Sequence, residues 1–118
     1  MKQKQALKAY VTLIGMGGKT TGKTALALFR LKGRLKELVD FQAEEEIKLA
    51  EKYGGKILDN GTIKFEDDDQ RQGFLDEKTA LGEMDIDPEI EPARVKIDTI
   101  PEITLSEIEA LDGFVIFE

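Results

Sequence analysis

Cysteine, histidine and tryptophan are absent from this 118-residue sequence, serine occurs once, and proline three times. Without cysteine there is no disulfide staple, no thiolate zinc site and no thiol nucleophile, and the composition suits a reducing compartment. Without histidine the commonest general base and metal ligand is missing. The lone serine, Ser106, falls within the start of the last expected helix, so chemistry through an activated serine lacks its usual parts. No catalytic residue, no cofactor and no metal-ligand set is therefore assigned. Acid–base work by carboxylates, or chemistry on a bound nucleotide, stays open. No apolar run approaches the ~20 residues of a membrane span. Nothing at the start resembles a leader, so the expected location is the cytoplasm, with no membrane partner.

Acidic residues are also missing locally. Residues 1–36 contain none, but carry Lys2, Lys4, Lys8, Lys19, Lys23, Arg30, Lys32, Arg34 and Lys36. The other eight basic residues and all twenty-four acidic ones follow, so the net charge of −7 conceals +9 and −16. Such a split can mark a nucleic-acid face, or let the two parts attract each other within a fold or between subunits. Overall acidity disfavours nucleic acid as a partner, and only Tyr10 and Phe29 could stack on bases in the basic segment.

What is present fits one α+β domain over residues 1–118. Residues 24–53 are its longest periodic stretch. Leu28, Leu31, Leu35 and Leu38 fall three and four apart, and Leu49 rejoins the row after Gln42 and Glu45. That spacing predicts a single long helix, with Phe29, Val39 and Ile47 widening the buried face. Lys32, Lys36, Glu37, Glu44, Lys48 and Glu51 lie opposite, with Glu44 and Lys48 in favourable i,i+4 order, and Gly54–Gly55 supplies the stop. Gly33 costs that helix about 1 kcal/mol relative to alanine and implies a close helix crossing or a mild bend. Upstream, residues 3–14 place Leu7, Tyr10, Val11 and Ile14 on one helical face, although the β-branched tail YVTLI leaves a strand open. Residues 15–23 form a loop in which Thr21 or Thr24 could cap the long helix. The result is an N-terminal antiparallel helical hairpin.

Downstream, Asn60–Gly61 between alternating arms predicts a β-hairpin over residues 56–65 with a type I′ turn, and Ile57, Ile63 and Phe65 on its buried face. Asp67, Asp68 and Asp69 open a helix running to about residue 84, with Phe74, Leu81 and Met84 inward. Residues 85–103 hold Pro88, Pro92 and Pro101, which forbid a helix and demote any strand to an edge. Ile86 and Ile90 should dock, Val95 and Ile97 form a short strand, and Asp85, Asp87, Glu89 and Glu91 stay in water. Those acids lack the turn and ligand spacing of a calcium loop. Thr104 and Glu107 fit a capping box, and Ile103 and Ile108 a hydrophobic staple. A helix over residues 105–112 follows, carrying Leu105, Ile108 and Leu111 and stopped by Gly113. The closing FVIFE, apolar without alternation, predicts a strand covered on both faces.

Residues 17–24, GGKTTGKT, match the phosphate-loop pattern GxxxxGK[ST]. In that alternative reading the backbone at Gly17 and Gly22 would cradle phosphates, Lys23 would neutralise them and Thr24 would hold Mg²⁺. The rest of the chain argues against it. Phosphate-loop enzymes build a parallel sheet from strand–helix–strand crossovers, whereas a tight antiparallel hairpin follows here. The alternative explanation is local: glycine and threonine break one helix and start the next, with the lysines solvated.

Residues 24–118, from ALFRLKGRLKELVDFQAEEEIKLAEKYGG through a glycine-turn hairpin to ITLSEIEALDGFVIFE, resemble a broad group of small uncharacterised proteins from bacteriophage and prophage regions of Gram-positive bacteria. The resemblance implies no reaction, cofactor or catalytic residue, and GGKTTGKT is not among its shared features. A phage origin would make virion association an alternative to the cytoplasm. The expected function is a non-enzymatic protein–protein interaction or assembly module. Its partner would be another protein or a like chain, most simply in a two-fold dimer.

Overall fold

The computed structural model describes residues 1–86 and 89–118. Helix α1 (Gln3–Gly15) and helix α2 (Gly22–Lys52) form an N-terminal hairpin. Residues 3–14 are thus helical rather than a strand. Their buried face is not the one that the larger side chains suggest. Ala6, Ala9, Leu13 and Met16 are buried, Leu7 and Tyr10 are half-buried, and Val11 and Ile14 are exposed at 59% and 54%. Small alanines let α1 lie close against α2, and the bulkier row is turned aside.

On α2 the leucine stripe behaves as its spacing requires. Leu28, Leu31 and Leu35 are buried and Leu38 and Leu49 half-buried. Phe29, at 67% exposure, and Ile47, at 45%, do not widen it. Lys48 pairs with Glu45 at 3.1 Å rather than with Glu44. Thr21 occupies the N-cap of α2, but its side chain makes no capping hydrogen bond. Thr24 does not cap either; its hydroxyl shares a 2.8 Å hydrogen bond with that of Thr99. Gly54, with φ +72°, takes the left-handed conformation that ends α2.

Strands β1 (Lys56–Ile57) and β2 (Ile63–Lys64) pair antiparallel, Ile57 opposite Ile63. The turn is not type I′, since only Gly61 has positive φ. Leu58 N–H donates to the Thr62 carbonyl at 2.8 Å and Gly61 N–H to the Leu58 carbonyl at 2.9 Å, a three-residue loop with its left-handed residue last. Asn60 instead spends its side chain accepting from the Thr62 N–H at 3.1 Å. Ile57 is exposed, so this short hairpin buries only parts of Ile63 and Phe65.

Helix α3 (Asp68–Gly82) starts at Asp67, whose carboxylate accepts from the Gln70 N–H at 2.7 Å. Phe74 and Leu81 point inward, with Phe74 stacked 5.2 Å from Phe65, whereas Met84 lies beyond the helix end and is exposed. The Tyr53 ring lies against Gly73, where any Cβ would collide with it. At its far end α3 meets the start of α1. Gln3 N–H donates to the Met84 carbonyl at 2.9 Å and Ile86 N–H to that of Met1 at 2.8 Å. Together α1 and α3 line α2, whose thirty-one residues extend about 46 Å.

Ile86 and half-buried Ile90 dock as expected, while Asp87 and Pro88 lie outside the described residues. Strand β3 is Ala93–Val95, and Ile97 opens a short 3-10 turn (Ile97–Thr99) instead of extending it. Helix α4 (Leu105–Ala110) carries the complete capping box, but Leu105 is 71% exposed. The crossover through α4 returns strand β4 (Val115–Phe117) parallel to β3, Val95 opposite Phe117. Within FVIFE, Phe114 and Val115 are buried, Phe117 is half-buried and Ile116 exposed, so the strand is not covered equally on both faces. The main core joins α1, the first half of α2, β3 and β4 around Leu31, Leu35, Ile100, Leu111 and Phe114. The radius of gyration, 16.9 Å, exceeds the ~13–14 Å of a compact domain this long.

Candidate interaction surface

The segment matching a phosphate loop is the turn between two helices, preceded by α1 rather than by a strand. Gly22, Lys23 and Thr24 open α2, whereas Gly17 lies in the turn that ends α1, its N–H donating to the Ile14 carbonyl at 3.4 Å. Gly22 adopts φ +62° and Lys23 is exposed. Thr24 is buried and turned toward Thr99, so its hydroxyl ties α2 to the 3-10 turn. Lys19 is not simply solvated. Its ammonium donates to Glu107 Oε1 at 2.9 Å and to Oε2 at 3.1 Å, with both side chains mostly shielded. The Lys19 hydrogen bond, followed by that from the Thr104 N–H, holds the Glu107 carboxyl below its ordinary range. The loop is thereby pinned to α4.

The basic cluster at the start of the chain is partly used inside the fold. Lys2 pairs with Asp85 at 2.8 Å, Lys4 with Glu83, and Lys36 with Asp40 at 2.7 Å. Asp85 is thus a fastener rather than only a solvated acid. The Lys2 hydrogen bond lowers its pKa, and that of Lys4 lowers the pKa of Glu83. Glu89 and Glu91 are exposed. Among the described residues no group of His, Cys, Asp and Glu is placed to hold a metal ion. No helix of the described chain is long and apolar enough to cross a membrane.

Shallow concavities flank α2. One, of about 240 Å³, lies beside the α1–α2 turn between Leu13, Met16, Ala25, Leu28 and Phe29, with Lys32 at its edge. Another, of about 330 Å³, lies between α2 and α3, where Lys52 and Glu77 pair at 2.8 Å. Glu45 also lines the second.

The outer side of α2 is uncovered along its length. Lys23, Leu26, Arg30, Gly33, Arg34, Glu37, Phe41, Glu44, Lys48 and Glu51 are all exposed there. Of their charged members only Lys48 has a salt-bridge partner among the described residues. Sequence periodicity marks this side as polar but cannot say that it stays bare, since covering elements are a tertiary matter. Compared with protein-family models, curated proteins and solved structures, the chain matches none.

Proposed function

We propose that this chain is a non-enzymatic interaction or assembly module, of the phage or prophage kind its sequence resembles, that docks on a protein surface. The observation that supports this reading is the outer face of α2, exposed from Lys23 to Glu51 and carrying Leu26 and Phe41 among its charges. Apolar side chains held in the open on a rigid helix suit recognition by another surface. A like chain is the simplest partner, because it supplies both signs of charge.

The test pairs two measurements on the intact chain. Light scattering at about 100 µM should give a dimeric mass, since association follows mass action. A Mg²⁺–ATP titration should show no affinity better than millimolar, because Thr24 is engaged with Thr99 and no strand precedes the loop. A monomeric mass, together with micromolar Mg²⁺-dependent binding lost in Lys23→Ala, overturns the proposal.

A further inference from the structure

We infer that α2 pairs antiparallel with α2 of a second copy, about a two-fold axis at Glu37. The inference rests on the interaction-module reading and gives it a partner and a register. Its basis is a charge series. Lys23, Arg30, Glu37, Glu44 and Glu51 recur every seven residues along the exposed side of the helix. A seven-residue repeat on an α-helix forms one slowly drifting stripe, the line along which two helices cross with a left-handed twist. The basic members come first and the acidic members last. An antiparallel partner centred on Glu37 therefore sets Lys23 against Glu51 and Arg30 against Glu44, each pair occurring twice.

Three observations separate this stripe from an ordinary solvated face. The first is that its charges are unspent. Lys2, Lys4, Lys19 and Lys36 all have carboxylate partners within the fold. Lys23, Arg30, Arg34, Glu37, Glu44 and Glu51 have no salt-bridge partner among the described residues. The second is that their order opposes the helix dipole. Lys23 in the first turn and Glu51 in the last each oppose the dipole of their own helix, so stabilising α2 itself does not explain them. An antiparallel copy offsets that cost, because it sets the opposite dipole end and the opposite charge beside each of them.

The third is Gly33. It is exposed, and a Cβ built on it meets nothing within 4 Å. The fold of one chain thus gives no reason for a residue that weakens a helix interior. Next to the axis of a helix pair, the missing side chain lets two backbones approach. Phe41 supplies apolar area on the same face, and Arg34, one turn before Glu37, can reach Glu37 of the second copy and offset the like charges at the axis. Nucleic acid is a poorer occupant: the acids on the same stripe repel the phosphates that Lys23 and Arg30 would attract.

Two charge-reversed variants test the register, Lys23→Glu with Arg30→Glu, and Glu44→Lys with Glu51→Lys. Sedimentation equilibrium is run on each alone and on the two mixed in equal amounts. Each alone should dissociate at least roughly tenfold more readily than wild type, and the mixture should recover wild-type affinity. Gly33→Leu should weaken the dimer similarly, while its Tm at a concentration dilute enough for both proteins to be monomeric is unchanged or raised, which separates a blocked interface from a misfolded chain. A wild-type dimer that all these variants keep overturns this pairing and leaves the interaction-module reading standing. A wild-type monomer at about 100 µM overturns the pairing outright.

Discussion

Thr104 and Ser106 are two residues apart, both exposed, and chemically alike, yet they do different work. The Thr104 hydroxyl accepts from the Glu107 N–H at 3.2 Å, while Glu107 Oε1 accepts from the Thr104 N–H at 2.8 Å. Thr104→Ala leaves a helix-start donor unpaired and should lower stability by about 1 kcal/mol in urea denaturation. Ser106→Ala should fall within about 0.5 kcal/mol of wild type; a reversed order would misplace the start of α4. This reciprocal pair was legible from spacing alone, because a capping box uses residues three apart. The isolation of Gly33 was not, because open space beside a residue depends on which distant segments fold past it.

Between elements, one ion pair fastens the α1–α2 turn to α4. Glu107 belongs to the capping box, yet Lys19 is the larger cause of its lowered pKa. A depressed carboxyl pKa contributes stability above the unfolded value, near 4.5, and that contribution is lost as pH falls through the folded pKa. Thermal melts of wild type should therefore drop more steeply between about pH 5 and pH 3 than those of Lys19→Met. Lys19→Met should also melt lower than wild type at neutral pH. Asp85 and Glu83 are lowered too and will slope in both proteins, so the difference between the two curves is the informative quantity. Parallel curves would show that the turn is held by something other than this pair. Lys19 lies eighty-eight positions from Glu107, and no local pattern could have joined them.

At the scale of the whole molecule, burial is unequal along α2. Its first half packs into the main core with Leu31, Leu35, Ile100, Leu111 and Phe114. Its second half, the β-hairpin and α3 gather around Ala50, Phe74 and Leu81. Fewer buried apolar contacts mean a lower free energy of local opening. Amide hydrogen exchange should therefore be at least about tenfold faster in α3 and the hairpin than at residues 28–35. Equal protection throughout would mean that the molecule opens only as one unit. By itself, the sequence determined the leucine stripe, the hairpin at Asn60–Gly61, the helix start in the run Asp67 to Asp69 and the capping box at Thr104, because each depends on residues within about one helical turn or one strand repeat. Only the tertiary structure decided that alanines rather than Val11 and Ile14 face α2, that Phe29 and Met84 stay outside, and that the outer side of α2 is left uncovered. Those outcomes depend on which arc of a helix a neighbour occupies, and that arc is set by chain segments far away in sequence.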